Sequence, residues 1–244
     1  MQLRTIFVLV SILAPASATP TPLRRSCTGP KAPPTPSPSS ITYVLPSTGG
    51  STSLASPNST LKHIAIGHGM QNYTCTAAGA QPASIGALAV LNDVTNLYPG
   101  SGPDALSQDA WNALPSTVLR TTDDPIAEPL PHSESPFPPD TPLAVPGISE
   151  SLPFLGHHYF KGSVPTFSLN DDAEVLSVQK VQGVPAPANA DHGLGNEGAV
   201  DWLLLADNSG NDVYRVLTAG GDPTACEKVG ETQSVQYAAM YWFY

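Results

Sequence analysis

The run Ser234-Val-Gln-Tyr-Ala-Ala-Met-Tyr-Trp-Phe-Tyr244 constrains the fold more than any other stretch of the chain. Extended, it places Val235, Tyr237, Ala239, Tyr241 and Phe243 on one face and Gln236, Ala238, Met240, Trp242 and Tyr244 on the other. Both faces are largely apolar, so the run reads as a strand covered on both sides. Leaving these side chains in water would forfeit roughly 1.5–3 kcal/mol for each large one. Two apolar, β-branched runs precede it, Val200-Asp-Trp-Leu-Leu-Leu-Ala-Asp207 and Asp212-Val-Tyr-Arg-Val-Leu-Thr-Ala-Gly-Gly221. The polar, glycine-containing segment Asn208-Ser-Gly-Asn211 between them is a hairpin signal.

From its start the chain reads as an exported protein. Arg4, the apolar run Ile6 to Leu13 and the small residues Ala16-Ser17-Ala18 make a cleavable leader over residues 1–18. That run is too short to span a bilayer, so no membrane association is expected. Residues 19–60 are rich in Pro, Ser and Thr and poor in large apolar side chains, and are expected to form a flexible tail. Ile41-Thr-Tyr-Val-Leu45 is a short candidate for order within it.

A single domain is expected over residues 61–244, opening with a strand at His63-Ile-Ala-Ile66. Ser84 to Tyr98 fits helical spacing at Ile85, Leu88, Leu91 and Val94 and a weak strand alternation as well. Asp104 to Leu114 reads as a helix, capped by Asp104 and stopped by Pro115. Residues 121–153 form a Pro-rich, acidic excursion that sheet ladders do not tolerate. Strand pieces follow at Pro153 to Phe160, Val164 to Leu169 and Glu174 to Val181. The fold class is therefore mostly β, an antiparallel sandwich or barrel with one short helix and long Pro-rich loops.

Three cysteines, Cys27, Cys75 and Cys226, allow three single pairings in an oxidising compartment. Cys75–Cys226 is favoured because both lie beside expected strands, and Cys27 is left free or takes one of them instead. Asn58-Ser-Thr60 and Asn72-Tyr-Thr74 are glycan acceptor sequences, Asn58 in the more loop-like setting. The formal net charge of −10, with only 12% charged residues, argues against nucleic acid and anionic membrane surfaces as partners.

Gly67-His-Gly-Met-Gln-Asn-Tyr-Thr-Cys75, Gly156-His-His-Tyr-Phe160, Val200-Asp-Trp-Leu-Leu-Leu205, Tyr214 to Gly221, Cys226 and Tyr237 to Tyr244, in this order, resemble a secreted fungal and bacterial domain-of-unknown-function family. The resemblance covers roughly residues 61–244. It implies a mostly β single domain and a strand at Gly86 to Val94, and brings no catalytic residues with it. Fungal members often carry the label "malate dehydrogenase". A nicotinamide site needs a strand, a glycine-rich turn and a helix whose N-terminus meets the pyrophosphate. Gly193-Leu-Gly-Asn-Glu-Gly198 matches GxGxxG formally, but Pro-rich sequence precedes it and a strand-like run follows. These glycines read as turn residues, and no cofactor is expected.

Other chemistry is weakly signalled. Of the histidines at 63, 68, 132, 157, 158 and 192, His157 and His158 are adjacent and face opposite ways on a strand. One is expected to face the core and be hydrogen-bonded, the other to be exposed, and no metal site is expected. His68, His158 and Asp201 are a possible convergence across the sheet. Asp171, Asp172, Asp191 and Glu197 read as solvated loop charge, with a carboxylate pair of the glycosidase type as the alternative. Asp201, inside an apolar run, is expected to pair with Arg215 across the hairpin. The three tryptophans and the tyrosines read as core, with a sugar-stacking platform as the alternative. The leading reading is a monomeric, secreted or wall-associated, non-catalytic binding protein whose partner is a glycan or cell-wall polysaccharide. The alternative is a secreted hydrolase or metal-dependent enzyme built around Gln71, His158 and Asp201.

Overall fold

The structure, a computed structural model, describes residues 41–48, 52–126 and 136–244. The expected leader, Cys27, His132 and the centre of the Pro-rich excursion lie outside these residues. Nine strands form one sheet: β1 (His63–Thr74), β2 (Ala83–Asp93), β3 (Phe154–Lys161), β4 (Val164–Leu169), β5 (Glu174–Ser177), β6 (Gln179–Val184), β7 (Trp202–Ala206), β8 (Asp212–Gly220) and β9 (Thr232–Phe243). Their order is β5-β4-β3-β2-β1-β9-β8-β7-β6, antiparallel at every pairing. Among the described residues one α-helix, α1 (Gln108–Thr121), accompanies them. Among the described residues no helix is long and apolar enough to cross a membrane.

The sheet is nearly closed into a barrel, and one residue explains how. The run from Glu174 to Val181, expected as one strand, is divided at Val178 between β5 and β6, the two ends of the strand order. Val178 is fully buried, and its N–H donates to the Pro165 carbonyl at 3.0 Å. The two edges are thus neighbours in sequence, which leaves little unpaired strand between them.

Register assigns the faces. Ala65, Gly67, Gly69, Gln71 and Tyr73 alternate along β1 on the inward face, and Gly67 lies opposite Leu91 and Ala239. The interior cluster contains Ala65, Ala89, Leu91, Phe167, Leu169, Leu176, Val213, Tyr237, Ala239, Tyr241 and Phe243. Small residues on β1 and β2 make room for the rings of β9 and β4. A Cβ on Gly67 would stand 2.6 Å from the Tyr241 ring and 3.1 Å from Leu91. Gly67→Ala therefore overpacks the barrel, with an expected loss of about 1–3 kcal/mol in chemical unfolding. An unchanged midpoint would show that Tyr241 has room to move.

The outward face of β1, β8 and β9 is covered as well. Ile64, Ile66, Tyr214, Val216, Met240 and Trp242 pack with Trp111, Leu114, Val118 and Leu119 of α1. This gives β9 the double burial its sequence demands: Tyr237 to Phe243 are all buried. Helix α1 starts later than Asp104, capped by Ser107, whose hydroxyl accepts from the Ala110 N–H at 3.2 Å. It also runs through Pro115, which was expected to stop it. Proline removes one helical N–H, and burial of Trp111, Leu114, Val118 and Leu119 against the sheet offsets that loss.

Tyr43, Leu45 and Leu54 pack on this same outer cluster, and Ala55 accepts from the Tyr214 hydroxyl at 2.9 Å. Residues 41–48 and 52–60, assigned above to a flexible tail, thus contribute to the core's cover. Part of the Pro-rich excursion is packed too: Leu143 and Leu152 form an isolated bridge, and Val145 and Leu152 are buried. Ser84 to Tyr98, ambiguous in sequence, is mostly strand β2, followed by a 3-10 turn at Thr95–Leu97.

Candidate functional site

One end of the barrel holds a cavity of about 350 Å³. Gln71 and Tyr73 reach it from the end of β1, His158 and Phe160 from β3, and Arg215 from β8. Tyr241 lies further in, while Asp201, Asp222 and Lys180 also line it. Of the residues singled out in the sequence, Gln71, His158 and Asp201 share this cavity. His68 does not. It is one position out of phase with Gln71 on β1 and lies opposite Val90, which in turn lies opposite His157. His68 and His157 therefore line a smaller cavity of about 70 Å³ on the outer face, with Asp140 and Asn92. Among the described residues no group of three or more His, Cys, Asp or Glu side chains is placed to hold a metal ion.

His158 is buried, and its ring lies against Phe167, centroids 4.3 Å apart and planes 15° from parallel. Its Nδ1 is 3.0 Å from the Thr166 carbonyl, an acceptor, so Nδ1 carries the proton and Nε2 is the basic nitrogen. Burial lowers its pKa to about 4, so the ring is neutral near neutral pH. The neighbouring His157 is the outer one, half-buried, stacked 4.0 Å from Phe137 and 3.4 Å from Asp140 Oδ1.

A folded-state pKa of about 4 for His158, below the ordinary value of 6.5, couples stability to pH. Between these values the unfolded chain binds a proton that the native ring refuses. The stability contributed by the neutral ring is complete above pH 6.5 and is lost as pH falls towards 4. The slope is at most about 1.4 kcal/mol per pH unit. His158→Gln is expected to flatten this part of the stability–pH profile measured by urea unfolding. An equally steep profile in the variant would assign the slope elsewhere.

Arg215 departs from expectation. It was expected to pair with the Asp201 carboxylate. Instead its Nε and Nη2 donate to the Asp201 backbone carbonyl at 3.2 and 2.9 Å. The Asp201 side chain is exposed, just before β7, where hydration serves a carboxylate better than burial. Arg215 is only 9% exposed, and among the described residues it forms no ion pair. Gln71 is 5% exposed, and its Nε2 has no hydrogen-bond partner among the described residues. Two donors with capacity left over thus line one cavity.

The tyrosine hydroxyls in and beside the cavity have partners of their own. Tyr73 donates its hydroxyl to the Gly221 carbonyl at 2.7 Å, and burial pushes its pKa up to about 12. Tyr237 and Tyr241 share a buried hydroxyl–hydroxyl bond of 2.8 Å. Burial, and then the nearby Asp201 charge, raise the pKa of Asp222 above the usual aspartate value. The other acidic candidates lie elsewhere. Asp191 accepts a two-pronged contact from Arg120, at 2.6 and 2.5 Å, and Asp172 accepts from the Ser168 hydroxyl.

Sequence reading missed Tyr73, Tyr241, Asp222 and Lys180 as companions of Gln71. A signal was present: on the inward phase of β1 the small residues Gly67 and Gly69 give way to Gln71 and Tyr73. An apolar face that turns polar at one end marks a mouth.

Cys75 and Cys226 form a disulfide with Cα atoms 5.5 Å apart. Asn58 is exposed, one residue before a bend at Ser59. Asn72 is half-buried on β1, its Oδ1 accepting from the Ser234 hydroxyl at 2.8 Å. The formal GxGxxG segment runs through turns from Gly193 to Gly198 and leads into strand β7, so no helix N-terminus stands behind it.

Residues 55–244 match the model of a family described as protein of unknown function (DUF3455). No curated protein and no solved structure matches the chain.

Proposed function

We propose, for a chain that belongs to the DUF3455 family, that it is an exported, monomeric, non-catalytic binding protein that takes a glycan unit at the open end of its barrel. The observation that carries this reading is the preformed cavity of about 350 Å³, in which aromatic side chains and polar groups from several strands converge. Tyr73, Phe160 and Tyr241 offer ring faces and edges, and Gln71, Arg215 and Asp201 offer hydrogen-bonding groups suited to hydroxyls. Export rests on the Met1 to Ala18 leader, and glycosylation is placed at the exposed Asn58.

A flat aromatic strip is not the feature that supports glycan binding. The exposed large apolar side chains among the described residues are aliphatic, such as Ile85, Val175 and Val229. The ligand is placed in the mouth for that reason.

One observation favours an enzyme as the second reading. The same cavity holds a neutral, buried His158 and, in Asp222, a carboxyl with a raised pKa. A glycan array followed by calorimetry on the purified protein separates the two. Saturable binding without release of new reducing ends is expected. Turnover of the bound glycan would establish the enzyme, and no binding to any glycan would remove the leading reading.

A further inference from the structure

We infer that the barrel mouth is a carboxylate site, in which a ligand's anionic group seats between the Arg215 guanidinium and the Gln71 side-chain amide. The inference rests on the reading of this mouth as the binding site and narrows its ligand to an acidic one.

The argument starts from cost. A guanidinium inside a barrel is expensive unless its charge and its N–H groups are met. Arg215 satisfies two of its three nitrogens with one backbone carbonyl, a dipole rather than a counter-charge. Its other polar neighbour is the Tyr241 hydroxyl, also neutral, and among the described residues no carboxylate pairs with it. Gln71 repeats the pattern from another strand: a nearly fully buried amide with an unused donor facing the same space. A cation without a counter-charge and an unused amide donor, on strands either side of β9 and lining one cavity, describe the complement of an anion. A carboxylate suits the planar fork of arginine and brings one negative charge.

The single charge matters, because the mouth is not uniformly positive. Asp201 and Asp222 also line it, opposed at the rim by Lys180. A dianion meets that repulsion twice. Depth resolves the competition: Asp201 is exposed and Asp222 half-exposed, whereas Arg215 and Gln71 are buried. Screening by water weakens the acids' repulsion, and the interior strengthens the pairing. The carboxylate belongs either to a uronic acid of an acidic polysaccharide or to a free organic acid, and the two sources are separable.

Calorimetric titration of the full exported chain with galacturonate, galactose and the monocarboxylate lactate tests the proposal. Galacturonate is expected to bind at least about tenfold more tightly than galactose, the equivalent of one charge-assisted hydrogen bond. Gln71→Leu and Arg215→Gln are each expected to abolish that preference. If Arg215→Gln does not fold, as judged by circular dichroism, Gln71→Leu decides. Lactate binding without any sugar binding would retain the carboxylate site and overturn the glycan reading. Equal affinity for galactose and galacturonate would overturn the carboxylate site and leave the glycan reading standing. Full galacturonate preference in folded Gln71→Leu, or no binding of either acid, would also overturn the proposal.

Discussion

Replacing Trp242 by alanine is expected to remove about 3–5 kcal/mol of unfolding free energy, the usual range for truncating a large aromatic side chain in a core. Trp242 is fully buried on the outward face of β9, in edge contact with Tyr98 at 5.8 Å and Trp111 at 6.4 Å. Its indole N–H makes no hydrogen bond among the described residues, so the loss is one of packing and cavity formation. It falls where α1 packs on the barrel. A domain with a typical total of about 5–15 kcal/mol is left close to unfolding. Urea unfolding monitored by circular dichroism measures the loss. A change under about 1 kcal/mol would mean that α1 and Tyr98 do not rest on this strand.

The second large effect is covalent. Cys75 and Cys226 are 151 positions apart, so their bond closes a long loop of the unfolded chain. The chain-entropy account gives about 5 kcal/mol for a loop of that size, and native disulfides in exported domains typically contribute about 2–5 kcal/mol. The bond also ties the connection between β8 and β9 to the loop after β1. Gly79 donates to the Cys226 carbonyl at 2.7 Å, and Gly230 donates to the Cys75 carbonyl at 2.8 Å. Gly221, which accepts from Tyr73, and Asp222 of the mouth lie at the start of that connection. The double variant Cys75→Ser, Cys226→Ser is therefore expected to melt at a much lower temperature and to bind more weakly at temperatures where it stays folded. Wild-type protein under strong reductant should match it. A melting temperature unchanged in both would show that the bond contributes nothing to the native balance.

What the sequence conveyed follows from the range of the interactions involved. The hairpin of β7 and β8 is a local event: Asp207 accepts from the Ser209 and Asn211 amides at 2.8 and 2.9 Å and fixes the turn between the strands. Double burial of β9 was legible for a similar reason, since both of its faces are apolar within the run itself. Closure of the barrel was not legible. Nothing local distinguishes Val178 from its neighbours, and only the pairing of β5 with β4 and of β6 with β7 divides the run there. The end of α1 was misread because Pro115 obeys its propensity only where no tertiary packing opposes it.

The site shows the same division. Phase along β1 separates His68 from Gln71 in sequence, yet it does not say which phase faces inward, because α1 and the packed segments before β1 bury the outward face too. The histidine pair divides between the two faces, as adjacent residues on a strand must, with His158 in the core as expected and His157 half-buried rather than exposed. The Asp201–Arg215 ion pair was a fair expectation from composition and fails on a detail of position: Asp201 lies one residue before β7, so its carbonyl rather than its carboxylate meets the guanidinium.

The central claim is that ligand enters the inward-facing mouth of the barrel and not the outer histidine-lined cavity. Titrating isotope-labelled protein with galacturonate and following the backbone amides by NMR tests it most directly. The account predicts shifts concentrated at Gln71, Tyr73, His158, Asp201 and Arg215, with His68 and Asp140 unmoved. Shifts confined to His68, His157 and Asp140 would contradict it.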